Sequence, residues 1–254
     1  MGLLDAPDSQ PVVVHSAGAR AVFLFICDHA GRETPRNLGR LGLPESVFDL
    51  HIAWDIGAGA LTRRLAKALK ATCILQRYSR LVIDCNRDPE RHDAAPAVSD
   101  GIAIPGNAAL SSADLAERVA AIHTPYHDAI ADEIDARMAK AAPTLLVFMH
   151  SFTPRMAGQD RPWHFGVIHH GASPFSSAVL GRLGALPGVV VGDNLPYAWD
   201  DVDYSAPLHA IARGLDYLEL EVRQDLIADE QGQARIAAML AEVLPGAAAD
   251  IGMS

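Results

Sequence analysis

The segment Leu81-Val82-Ile83-Asp84-Cys85-Asn86-Arg87-Asp88 brings an acid, an amide and a guanidinium to the end of an apolar, strand-like run. An arginine fork can hold both oxygens of a carboxylate, and a neighbouring asparagine adds a neutral donor. Asn86 and Arg87 are therefore candidates for gripping a small molecule that carries a carboxylate. Two more apolar runs, 21–27 and 145–149, stop at groups able to bind metal, namely Asp28-His29 and His150-Ser151. A catalytic zinc takes three protein ligands and keeps one position for water. His29 and His150 are candidate ligands, with Asp55 or Glu33 as the third. In Leu218-Glu219-Leu220-Glu221-Val222-Arg223 apolar and charged residues alternate, as on a half-buried strand. Glu221 is the candidate general base, able to take a proton from water whose pKa zinc lowers toward ~7.

Each feature also has a plain structural explanation: a solvated salt-bridged turn, imidazoles satisfied in a core, an outward-facing glutamate. Their common construction favours chemistry, because ligands of open α/β sheets sit beyond the carboxyl ends of the strands, where residues distant in sequence converge.

The elements that must position these groups follow from periodicity and breakers. Strands are expected at 21–27, 72–78, 81–84, 144–149, 163–169, 189–191 and 217–222. Helices are expected at 45–50, from Asp55 to about residue 69, and from Ser111 or Ser112 to about residue 141 with a kink at Pro125. Further helices are expected at 175–186, 208–213 and 231–244. Residues 1–18 read as a loosely held lead-in, and 88–110 as a long loop of the kind that covers a site. This alternation predicts an α/β fold, a three-layer αβα sandwich with a mixed, largely parallel sheet, in one catalytic domain over 1–254.

At 254 residues and 50% hydrophobic content the chain can bury a substantial core. A formal charge of −10 argues against nucleic acid or a membrane surface as partner, since both call for a basic face. Cys27, Cys73 and Cys85 lie in apolar runs and read as free thiols of a reducing compartment. With no leader pattern and no apolar run of ~18–20 residues, a cytoplasmic location is expected. His123 and His127 share a helix face but flank Pro125 and lack the glutamate of a metal-binding helix motif, and His169-His170 reads as structural.

The segments His150-Ser151-Phe152, Asp84-Cys85-Asn86-Arg87 and Glu219-Leu220-Glu221-Val222-Arg223 resemble motifs of the zinc carboxypeptidases, in the same order. More closely, Asp28-His29-Ala30-Gly31 through Pro35, His51-Ile52-Ala53-Trp54-Asp55-Ile56-Gly57-Ala58, Ser79-Arg80 through Arg87, Gly192-Asp193-Asn194-Leu195-Pro196-Tyr197 and Glu221-Val222-Arg223-Gln224-Asp225-Leu226 resemble the N-formylglutamate amidohydrolase family. That likeness spans about residues 22–228. It implies a zinc-exopeptidase-like (phosphorylase/hydrolase-like) fold, one zinc per chain, and hydrolysis of the N-formyl or N-acyl amide of an acidic amino acid, as in amino-acid catabolism.

The carboxypeptidases place a second ligand three residues after the first histidine, at a helix start. Here that position is Arg32, and the acid at the expected helix start is Asp55, which favours it over Glu33. By the same resemblance Asn86 and Arg87 hold the substrate carboxylate and Glu221 is the base. Arg80 polarises the scissile carbonyl or positions Asp84, with Arg155 and Arg161 as alternatives. A zinc peptidase or deacylase with another acyl substrate would use the same residues, and a silent carboxylate-binding protein would use Asn86 and Arg87 alone.

Overall fold

A computed structural model describes residues 2–5, 8–171, 173–199 and 203–253. In chain order it forms β1 (Val12–His15), β2 (Phe23–Cys27), α1 (Ala58–Ala68), β3 (Thr72–Gln76), a small hairpin of β4 (Val98–Ser99) and β5 (Ile102–Ala103), α2 (Ser112–Arg118), α3 (Thr124–Met138) and β6 (Leu145–Phe152). There follow a second small hairpin of β7 (Arg155–Met156) and β8 (Gln159–Asp160), then β9 (Phe165–Ile168), α4 (Pro174–Gly184), β10 (Val191–Asp193), α5 (Ser205–His209), β11 (Tyr217–Arg223) and α6 (Glu230–Asp250).

Seven strands make one mixed sheet in the order β1-β3-β2-β6-β11-β9-β10. The central β3, β2, β6 and β11 are parallel, β1 is antiparallel to β3, and β9 is antiparallel to β11. Every residue of β2 is buried, as a strand covered on both faces requires. Phe23, Phe25 and Cys27 pack against Leu61 and Leu65 of α1, Phe175 and Val179 of α4, and Ile236 and Leu240 of α6. Leu24 and Ile26 point the other way, toward Tyr126, Ile130 and Ile134 of α3. The expected sandwich is thus present. Among the described residues no helix is long and apolar enough to cross a membrane.

The departures from expectation lie mostly around the site. Residues 81–84 are not a strand. Leu81, Val82 and Ile83 are apolar because they are buried under the α3 layer, and the backbone there is turned, with the Val82 N–H donating to the Ser79 carbonyl at 2.9 Å. Helix α1 begins at Ala58 instead of Asp55, because Gly57 adopts a left-handed conformation (φ 81°) that stops the helix from starting earlier. The lead-in contains the edge strand β1, whose Val12-Val13-Val14 run suits a pleated surface. The expected kink near Pro125 is a π-helical turn, Val119–His123, after which Pro125 falls in the first turn of α3, where its missing N–H costs nothing. The helix expected at 208–213 is split between α5 and a 3₁₀ turn, Ile211–Arg213, and the C-terminal helix continues through Pro245 to Asp250.

The loop at 88–110 is pinned by a buried guanidinium. Arg118 donates to the Val82 carbonyl at 2.9 Å and to Asn107 Oδ1 at 2.7 Å, tying the loop to the 79–87 segment.

Gly57 sets the path from Asp55 into α1. A Cβ there would lie 2.2 Å from the Ile227 carbonyl oxygen, and the left-handed backbone alone costs another residue about 1–2 kcal/mol. Gly57→Ala is expected to lower the melting temperature by at least about 4 °C in thermal unfolding. An unchanged melting temperature would show that the loop after β11 gives way freely.

Candidate active site

The carboxyl ends of β2, β6 and β11 open into a cavity of about 460 Å³. His29 follows β2 by two residues, and its carbonyl accepts the Asp55 N–H at 3.0 Å, which brings the turn before α1 alongside. His150 lies within β6, directly opposite Glu221 of β11 in the parallel ladder. His150 Nδ1 is 3.0 Å from Asp55 Oδ2, and His29 Nδ1 is 3.5 Å from the same oxygen. One ligand atom each from His29, Asp55 and His150 fits within 4.8 Å, and all three residues are buried.

The far nitrogen of each ring is backed by a further carboxylate. His29 Nε2 is 2.6 Å from Asp84 Oδ1, and His150 Nε2 is 3.4 Å from Asp28 Oδ2. The His29–Asp84 bond fixes the orientation of that ring and leaves its Nδ1 facing Asp55, as a carboxylate behind a metal-ligating histidine does. Asp28 is itself held by the Ser205 hydroxyl, which donates to Oδ1 at 2.8 Å. Asp84 accepts Arg80 Nη2 at 2.5 Å, while Arg80 Nη1 reaches within 3.5 Å of Asp55 Oδ1 and 3.3 Å of His29 Nδ1. Arg80 therefore positions Asp84 and also presents a donor at the edge of the cluster. Two imidazole nitrogens and one carboxylate, enclosed behind and facing a cavity in front, form a donor set that fits a divalent ion with an open position.

Burial opposes charge on every one of these groups, and their neighbours outweigh it. Asp28 and Asp55 hold the His150 pKa well above the ordinary imidazole value. For His29, burial and the Arg80 charge work against protonation, yet Asp84 and Asp55 raise its pKa overall. Asp84 is pushed well below the usual carboxylate range, Arg80 and His29 overcoming its burial. Glu221 is different. Burial, reinforced by Asp55 against the pull of His150, raises it to about 7.

The other expected residues fall as follows. Glu33 is exposed and bonded to Arg77 at 3.1 Å, away from the cluster. Arg87 lines the cavity, with Nη1 donating to the Asn86 carbonyl at 2.9 Å and Nε 3.8 Å from Asp93. Asn86 also borders the cavity, but its amide is committed to the chain: Nδ2 donates to Asp203 at 3.1 Å, and Oδ1 accepts the backbone N–H groups of Tyr204 and Ser205 at 3.0 and 2.9 Å. Arg155 is exposed, and Arg161 lies over the Tyr197 ring; neither lines the cavity. His123 and His127 hold the carbonyls of Arg87 and Cys85 at 3.1 and 2.9 Å. Burial and His123 depress the His127 pKa to about 3, so that ring stays neutral and structural. Two residues stand out only in three dimensions. Asp28 was readable as the neighbour of His29, and Glu219 as the residue sharing a strand face with Glu221, but nothing in the spacing distinguished either from an ordinary buried acid.

A model of the N-formylglutamate amidohydrolase family matches residues 21–228, a range that contains every residue lining the cavity. The solved structure of gene product Atu2144 from Agrobacterium tumefaciens is 37% identical, with a TM-score of 0.94 over 98% of this chain and 99% of that one. N-formylglutamate amidohydrolase from Ralstonia eutropha JMP134 shares the fold at 19% identity, with a TM-score of 0.67 over 94% and 97% of the two chains. No curated protein matches the chain. The protein is a hydrolase acting on amides. More particularly, it belongs to the N-formylglutamate amidohydrolase family.

Because His29 and His150 carry raised pKa values, a divalent ion must displace protons from them. Affinity is expected to strengthen as pH rises from 6 to 8, measured by chelator competition; affinity independent of pH would contradict the ligand set. Asp84→Asn, which leaves His29 without its charged support, is expected to weaken metal binding by about 10–100-fold in the same titration.

Proposed function

We propose that this protein hydrolyses the N-formyl or N-acyl amide of a carboxylate-bearing amino acid, with N-formyl-L-glutamate and water giving formate and L-glutamate as the type reaction. The observation that carries the reading is the placement of Glu221. It is buried, its Oε2 has no hydrogen-bond partner among the described residues, and it faces the cavity directly across the ladder from His150.

One zinc per chain would be held by His29, Asp55 and His150, and when bound it would acidify the attacking water and polarise the amide carbonyl. Glu221 takes a proton from water in the cavity and returns it to the nitrogen of the leaving amine. A pKa near neutrality suits both halves of that task. Arg80, anchored by Asp84, offers Nη1 to the carbonyl oxygen as negative charge develops there, a contribution typically worth about 3–4 kcal/mol. Arg87 takes the substrate carboxylate. Asn86 supports it from behind by clamping the Asp203–Ser205 segment.

Purified protein is expected to contain about one zinc per chain and to release formate from N-formyl-L-glutamate in a chelator-sensitive manner. Glu221→Gln should keep its zinc while kcat falls by at least about 10²-fold, the usual worth of a general base. Wild-type turnover in this variant would remove Glu221 from the role. Arg87→Ala should raise KM at least about tenfold with zinc content unchanged, as loss of a charged hydrogen bond implies. An unchanged KM would place the carboxylate elsewhere.

A second reading keeps this chemistry and changes the acyl amino acid. It is favoured by the acidic character of the cavity wall, in which carboxylates outnumber guanidiniums.

A further inference from the structure

The wall of the cavity holds seven carboxylates against two guanidiniums, so even a divalent ion leaves an excess of acid. Most of these acids have evident partners. Asp55 and Asp84 belong to the histidine cluster, Asp93 bonds Arg91, Asp100 faces His51, and Asp203 accepts from Asn86. Glu221 has the work of a base. Glu219 has no such assignment.

Glu219 sits two residues before Glu221 on the same face of β11, level with Phe148 of β6 and Ile168 of β9. It is therefore deeper in the cavity than Glu221, which is level with His150. It is 4% exposed, lines the cavity beside Ile168 and Asp203, and its Oε2 is enclosed without a hydrogen bond among the described residues. A carboxylate kept out of water without a partner is costly, and the cost disappears when a cation is brought to it. Burial and the nearby Asp203 charge both raise the Glu219 pKa, as expected for a site that lacks its counter-charge.

The geometry points to Glu219, with Asp203 beside it, as a subsite for a cationic side chain, so that the preferred substrate is the N-acyl derivative of an amino acid bearing an ammonium or guanidinium group. This inference rests on the amide-hydrolase reading of the same cavity. With Arg87 engaged by the α-carboxylate and Arg80 by Asp84, a glutamate side chain would bring one more acid to Glu219 and Asp203. An aliphatic side chain would leave Glu219 buried and unpaired. A site built around a buried polar group discriminates strongly against ligands that fail to pair with it.

The test compares kcat/KM of the zinc-loaded protein for N-formyl-L-lysine and N-formyl-L-norleucine, which differ only in the terminal amine, with N-formyl-L-glutamate alongside. The lysine-to-norleucine ratio is expected to be at least about 10 in wild type and to fall toward 1 in Glu219→Gln. A ratio near or below 1 in wild type, or the same ratio in both proteins, would overturn the subsite. Calorimetric binding of L-lysine and L-norleucine to both proteins gives a readout free of turnover. Selective, Glu219-dependent binding of lysine without cleavage of any formyl compound would leave the subsite standing and defeat the hydrolase reading. Cleavage of the norleucine or glutamate compound without preference for lysine would do the reverse.

Discussion

Asp55 is a carboxylate taken out of water, and the surrounding residues are arranged so that it stays charged. His150 Nδ1 and the Ser151 N–H bond to one oxygen, His29 lies near that same oxygen, and Arg80 lies near the other. An unpaired ion in this position would be costly enough to unfold a small protein or to lose its charge. The same reasoning extends outward, since His29 needs Asp84, Asp84 needs Arg80, and His150 needs Asp28. The cluster is stable as a set. Removing one member leaves another buried without compensation, which is far more damaging than losing the pair together. The cluster could hold a metal ion, which would supply positive charge in place of ring protons.

Much of this architecture was legible in the chain. The apolar runs ending at His29 and near His150, and the alternating run that contains Glu221, correspond to three strands of the sheet and to three residues that line one cavity. The run 81–84 misled because apolar content reports burial, and a buried turn under α3 is as apolar as a buried strand. Asn86 illustrates a second limit. Its amide looked free to bind a ligand, yet its partners lie 117 to 119 residues away in sequence, beyond the reach of any spacing rule. Glu219 was visible as half of an alternation, but the strands on both sides of β11, which make it an interior position, had to be known before its burial acquired meaning.

The layer carrying α3 contributes more than cover. The π-helical turn at Val119–His123 and α3 bring His123 and His127 close together, with ring centroids 4.4 Å apart. Their Nε2 atoms bond the carbonyls of Arg87 and Cys85, so two peptide groups on either side of the Asn86 carbonyl find partners in an otherwise irregular segment. Irregular backbone can be buried only when its polar groups are satisfied in this way. Arg118 does the same for Val82 on the other side of Asp84. The loop residues that line the cavity are thereby tied to the α3 layer by hydrogen bonds to their backbone.

The pairing of β6 with β11 sets Tyr217 against Leu146 and, at the other end, Arg223 against Phe152. Side chains alternate faces along a strand, so a shift of one residue would turn Glu219 and Glu221 into the layer of α4 and α6 and bring leucines to the cavity. The two acids thus share a single geometric error mode. Misfolded molecules of this kind would be silent instead of sluggish, and the activity of a preparation would count correctly registered chains, much as a titrated active site does.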